Sequence, residues 1–144
     1  MSLQVVVNFR VIDESADWIV VDKPAPLIVH PANLKPEPTL LGGLEQLLAY
    51  EIQNGACLGI ITRLDRETSG CLLLAKNRRI LAQLHELLRH EKTVHIEKTY
   101  LALLHGQWKE GKKTIDIGIS KVKRSGEHMM QTDASGDRAI SHFE

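Results

Sequence analysis

The strongest constraint on this chain is the apolar–polar–apolar succession between Gly59 and Lys76. A short apolar run, Ile60 and Ile61, leads into a polar segment from Thr62 to Gly70, and a second apolar run follows from Cys71 to Ala75. Short apolar runs bounded by glycine and polar residues read as buried strands. A loop between two buried strands is a rigid mount on which side chains can be held in place. Inside it, Asp65 stands between Arg63 and Arg66. From composition alone this trio reads as a loop salt bridge, with Thr68 and Ser69 as turn formers. The same trio can also be read as a charged functional group on a firm support.

The remaining chain supplies about one domain's worth of elements, and 144 residues are enough for a real core. The spacing predicts strands over Phe9 to Ile12 and Trp18 to Val21, joined by the polar turn Asp13 to Asp17. Pro24 and Pro26 then bar a helix and deny ladder hydrogen bonds, so Asp22 to Pro31 is expected to be extended. Asn33 to Pro38 reads as a surface loop. Thr39 is a suitable N-cap for a helix to about Gln53, with Leu40, Leu44, Leu47, Leu48 and Ile52 on one face and Asn54-Gly55 as its stop. Asn77 caps a second amphipathic helix to His90, with Ile80, Leu81, Leu84, Leu87 and Leu88 inward. Further on, Lys98 to Leu104 alternates as a strand would, placing Tyr100, Ala102 and Leu104 on one side. Ile115, Ile117 and Ile119 alternate on another. Met129 to Gln131 and Arg138 to Phe143 are expected to pair as a hairpin across Asp133 to Asp137.

Several function classes are disfavoured. No apolar run is long enough to span a bilayer and no signal peptide opens the chain, so a cytoplasmic protein without a membrane partner is expected. Cys57 and Cys71 lack metal-type spacing and read as small buried apolar residues rather than ligands or disulfide partners. His85, His90 and His95 share no carboxylate motif, and no metal is expected. Formal charge is zero overall but uneven. Residues 1–70 hold 5 Lys/Arg against 9 Asp/Glu, and residues 71–144 hold 13 against 9. The basic clusters Lys76/Arg78/Arg79, Lys109/Lys112/Lys113 and Lys121/Lys123/Arg124 suit either a solvated face or a phosphate backbone.

Arg63-Leu64-Asp65-Arg66-Glu67-Thr68-Ser69-Gly70 resembles the R-L-D-x-x-T-S-G signature of RluA-type RNA pseudouridine synthases, in which the aspartate is catalytic. Flanking stretches resemble the same family in the right order. Lys23 to Pro31 is similar to its K-P-x-G-l-x-V-H-P segment, with Pro26 where glycine is usual. Lys98 to Gly106 is similar to K-x-Y-x-A-x-x-x-G, and Ala139 to Phe143 to A-x-T-x-y, with Ser141 in the threonine position. Thr62 stands where histidine or glycine is usual.

The resemblance implies an α+β fold, a mixed, mostly antiparallel sheet with helices packed on it, in a single domain over residues 1–144. It implies an isomerase that converts uridine to pseudouridine in structured ribosomal or transfer RNA without a cofactor. Asp65 is then the catalytic group, Tyr100 contacts the flipped base, and Arg63 contacts the RNA. By the same resemblance these residues form only the first part of the family's domain, before a distal arginine segment. The chain alone is therefore expected to be inactive and to associate with itself through an open strand edge. Two other readings stay open: an RNA-binding fragment without activity, and an unrelated hydrolase using Asp65 as nucleophile.

Overall fold

The computed structural model describes residues 7–31, 37–89, 96–124 and 127–144. The sequence-based assignments to residues 33–36 and to His90 and His95 lie outside them. The chain forms two compact units, Met1–Glu97 and Lys98–Glu144, each with its own antiparallel sheet. The α+β class is as expected. The antiparallel strands fall into two sheets rather than one, and among the described residues parallel pairing is limited to an isolated bridge between Ile28 and Thr39.

In the first unit, β1 (Arg10–Glu14), β2 (Trp18–Lys23), β3 (Gly59–Ile60) and β4 (Gly70–Ala75) lie in the order β1-β2-β4-β3. The period-2 rule puts Ile19, Val21 and Lys23 of β2 on the inward face, and all three are buried. Leu72 and Leu74 of β4 join them, whereas Cys71, expected to be buried, falls on the outward phase of β4 and is exposed. The core is closed by Val29 and by Leu40, Leu44 and Leu48 from the helical segment. Each such apolar side chain contributes about 1.5–3 kcal/mol when fully buried. The β2–β4 register ends on Lys23 opposite Gly70, so the chain leaves β2 and enters β4 at the same end of the sheet.

The predicted long helix is broken into α1 (Leu40–Leu47) and α2 (Ala49–Gln53), because Leu48 sits at φ −99° and ψ 24° between them. The start of α1 is fully capped. Its Leu40 and Leu41 N–H groups donate to Ile28 O and Val29 O, and Gly42 N–H donates to the Thr39 hydroxyl. These bonds tie residues 28–29 to the helix, a point that bears on His30 below. Asn54 and Gly55, the latter at φ +100°, end α2 as expected. Leu47 is a correction. The buried positions recur at Leu40, Leu44 and Leu48, a strict four-residue step, and Leu47 falls off that stripe at 54% exposure. The third helix, α3 (Arg78–Arg89), begins at Asn77, whose Oδ1 accepts from Ile80 N–H. Its Leu87 is exposed rather than inward, and His85 Nε2–H donates to Ile60 O of β3. Lys76, almost buried, ion-pairs with Glu14 at 2.6 Å and anchors the end of β4 to β1.

In the second unit, β5 (Lys113–Arg124) is the common partner of β6 (Glu127–Thr132) and β7 (Asp137–Phe143). The expected β6–β7 hairpin does not form. β6 pairs with residues 119–124 of β5 and β7 with residues 113–119. A twelve-residue strand offers enough ladder for both, and the intervening turn is pinned to it by Asp133 N–H donating to Gly118 O. Gly118 permits this approach, since a Cβ there would come within 2.1 Å of Asp133 O. Arg138 and Asp116 form a two-armed ion pair across β5 and β7, which holds the Asp116 carboxyl below its usual range. The Trp108 and Phe143 rings stack at a tilt, 5.6 Å apart.

The predicted strand Lys98 to Leu104 is also absent. A strand is held by a neighbour's ladder, and among the described residues no β-ladder includes this stretch. Leu101 and Leu103 are fully exposed there, at 102% and 103%.

Leu44→Ala is expected to cost about 2–5 kcal/mol of stability, the usual range for emptying a fully buried leucine site. Leu47→Ala is expected to stay within about 0.5 kcal/mol. Urea unfolding of the two variants checks this, and equal losses would restore Leu47 to the core.

Candidate active-site loop

The register Lys23 opposite Gly70 brings two loops together at one end of the first sheet: residues 24–31 after β2, and residues 61–69 before β4. Both are polar or proline-containing, so neither can continue the sheet. Gly70 starts β4 at φ +125°, a conformation glycine reaches without a side-chain clash. Thr68 N–H donates to Asp65 O at 3.2 Å, which folds the second loop into a turn over Asp65 to Thr68.

Lys23 holds the two loops together. It is fully buried and takes the position on β2 where the inward alternation would next place an apolar residue. Its ammonium donates to Leu27 O at 2.6 Å, Pro24 O at 3.1 Å and Arg66 O at 3.2 Å. Three donors and three acceptors match completely. Leu27 N–H also donates to Arg66 O at 3.0 Å, so the loops are joined by backbone as well. Burial pushes the Lys23 pKa below its ordinary 10.5, while the charges of Glu67 and Asp65 push it back up. The Asp65 carboxylate therefore lies within electrostatic reach of a buried cation.

Asp65 itself is exposed, and among the described residues its carboxylate makes no hydrogen bond or ion pair. The arginines beside it are not its partners, contrary to the salt-bridge reading of the trio. Arg66 pairs with Glu37 at 2.8 Å, and Arg63 Nη1 approaches His30 Nε2 at 3.5 Å. Each guanidinium instead reaches a partner on an earlier segment of the same chain. The result is an exposed carboxylate on a loop tied from below by the Lys23 ammonium.

Of the three residues singled out from sequence, Arg63 and Asp65 share this loop. Tyr100 belongs to the other unit, in irregular chain and 61% exposed. Lys23 and His30 were not singled out. For Lys23 a signal was present, a lysine at an inward-facing strand position directly before a proline. His30 stands at the histidine of the segment that resembles K-P-x-G-l-x-V-H-P, but its partner is 33 positions away and only the fold pairs them. Among the described residues no three His, Cys, Asp or Glu side chains gather as a metal site, and no helix is long and apolar enough to cross a membrane.

Lys23→Met keeps the stem but leaves three carbonyl groups without their donor, and is expected to cost about 3 kcal/mol. Because the folded pKa lies below 10.5, the unfolded chain binds this proton more tightly than the folded one. The contribution of Lys23 to stability therefore rises as pH climbs through the window just below 10.5. Chemical unfolding should show the gap between the parent chain and Lys23→Met widening with pH there. A gap that narrows would contradict the burial of this ammonium.

Comparison with known proteins places the loop in a family. Residues 17–144 match the family model described as RNA pseudouridylate synthase. Ribosomal large subunit pseudouridine synthase C of Buchnera aphidicola subsp. Baizongia pistaciae (strain Bp) is 34% identical over 142 residues, covering 98% of this chain and 42% of the relative. The protein of the same name from Haemophilus influenzae is 36% identical over 135 residues, covering 93% of this chain and 39% of its own length. The chain thus spans about two fifths of the length of these curated relatives. Among solved structures, Human RNA Pseudouridylate Synthase Domain Containing 1 superposes with a TM-score of 0.70 at 24% identity, over 99% of this chain and 53% of that one. Human RNA Pseudouridylate Synthase Domain Containing 4 gives 0.59 at 20%, over 92% and 51%. These two establish the fold. The resemblance read from Arg63 to Gly70 is borne out, and this chain belongs to the RNA pseudouridylate synthase family.

Proposed function

We propose that this chain carries the catalytic aspartate of an RNA uridine-to-pseudouridine isomerase, with Asp65 as that group. The observation that carries the reading is the unpaired, exposed Asp65 carboxylate on a loop fixed by the buried Lys23 ammonium. In the reaction the bond from ribose C1′ to base N1 breaks and a bond from C1′ to C5 forms. The C5 proton leaves to solvent and N1 gains one, so nothing is oxidised and no cofactor is required. A glycosidase needs two carboxylates because one protonates the leaving group while the other attacks or activates water. An isomerase that retains its base in the pocket has no water to activate, and one carboxylate suffices. An anionic Asp65 can attack a carbon of the nucleotide or take a proton from it.

A uridine in folded RNA hides C1′ and C5, so the nucleotide must leave its stack. In this reading Tyr100 stacks against the flipped base and Arg63 contacts the RNA strand. Both units then belong to one catalytic domain. The curated relatives are named for the large ribosomal subunit, which favours ribosomal over transfer RNA as substrate in this reading, and a cytoplasmic location fits it. Exposed Lys121 and Lys123, on the same face of β5, suit the phosphate backbone. Self-association through β7, which pairs only with β5 among the described residues, fits the same picture.

Asp65→Asn keeps size and hydrogen bonding but removes the charge. In the full gene product it is expected to lower pseudouridine formation by about 10⁴-fold while RNA binding survives. Nucleoside analysis and filter binding check the two halves, and near-parental turnover would refute the role of Asp65. Tyr100→Ala is expected to reduce kcat/KM about 10- to 100-fold, the loss of one base-stacking contact. Tyr100→Phe should retain the stacking share. An alanine variant within twofold of the parent would remove Tyr100 from the pocket.

A further inference from the structure

His30 sits between two contacts of opposite demand. Its Nδ1 lies 2.7 Å from Pro31 O, and its Nε2 lies 3.5 Å from Arg63 Nη1. A carbonyl oxygen only accepts, so Nδ1 carries the proton. In a neutral imidazole Nε2 is then an acceptor, and it faces a guanidinium, a group that only donates. Both contacts are satisfied together in this tautomer alone.

The ring stands on a braced segment. Val29 is buried and its carbonyl accepts from Leu41 N–H at the start of α1. Pro31 follows and restricts the backbone of His30 to extended conformations. Leu27 N–H, three residues before, is bonded to Arg66 O, three residues after Arg63. The distance from imidazole to guanidinium is thus set by the same two loops that place Asp65. An exposed arginine samples many rotamers, but here one nitrogen is tethered. Among the described residues Arg63 makes no other hydrogen bond or ion pair, and the side chain remains exposed.

We infer that His30 is a positioning residue for RNA recognition: as the Nδ1–H tautomer it holds Arg63 by one donor and presents the remaining donors, beside Asp65, to the RNA phosphate backbone. A guanidinium with a pair of free N–H groups suits a phosphate in two-point contact. The inference rests on the isomerase reading of this loop. His30 acts through Arg63, which contacts RNA in ground and transition states alike, so its effect falls on KM.

Two measurements test it. Nitrogen NMR of the imidazole in this chain should show His30 protonated at Nδ1 and bare at Nε2, and a ring protonated at Nε2 would overturn the inference. In the full gene product, His30→Ala should raise KM for RNA about five- to tenfold with kcat within about twofold. His30→Gln, whose Oε1 can accept where Nε2 did, should restore KM. On an Arg63→Ala background, His30→Ala should add nothing. An unchanged KM in His30→Ala, failure of glutamine to rescue, or additive effects would each sink the inference. If the parent protein forms no pseudouridine, the isomerase reading falls and takes this one with it. An active parent with silent His30 variants removes this inference alone.

Discussion

The end of the first sheet depends on one buried ammonium. Lys23 occupies the last inward position of β2, where the pattern Ile19, Val21 calls for another apolar side chain. A charge there is costly unless every donor is matched, and Pro24, Leu27 and Arg66 supply three carbonyl oxygens. Those carbonyls come from two different loops, so satisfying the charge fixes one loop against the other. The backbone bond from Leu27 to Arg66 adds a second tie. An apolar residue at position 23 would fill the space without specifying how the loops meet. The site is therefore an outcome of electrostatic satisfaction in the core rather than of the surface charges around it.

That arrangement explains why Asp65 is left without a partner. The two arginines beside it in sequence are drawn to Glu37 and His30, on chain that precedes the loop by about thirty residues. The cation that does bear on Asp65 lies under the loop. A carboxylate held in this way has its position fixed through its backbone, and its oxygens stay open to a substrate. Catalytic groups gain from such prior placement, because misplacement by about 1 Å can cost roughly 10²-fold in rate.

Much of the first unit was legible from local patterns. β2 and β4 followed from apolar runs, the starts of α1 and α3 from Thr39 and Asn77, and the end of α2 from Asn54-Gly55. Each of these signals acts within four residues. What was not legible depends on distant partners. Lys98 to Leu104 alternates as a strand should, yet among the described residues no ladder runs beside it and it is irregular. β6 and β7 were read as partners because a turn lies between them, whereas both pair with β5, whose length no local signal announced. Leu47 lies at a helical spacing from Leu40 and Leu44, but the buried stripe follows the four-residue step to Leu48 and leaves Leu47 outside it. In the candidate site, Asp65 stands out in the sequence through its motif. Lys23 and His30 needed the fold, since a buried cation and a tautomer-fixed ring are defined by what surrounds them.

The central claim is that Asp65 serves an isomerase acting on uridine in RNA, and the fate of the C5 hydrogen tests it most directly. RNA carrying tritium at uridine C5 should lose that label to water, one equivalent for each pseudouridine formed by the full gene product, with no free uracil. Joining C1′ to C5 requires that loss, whereas simple cleavage of the glycosidic bond leaves the label on the base. Release of tritiated uracil, or pseudouridine formation without tritium in water, would contradict the account.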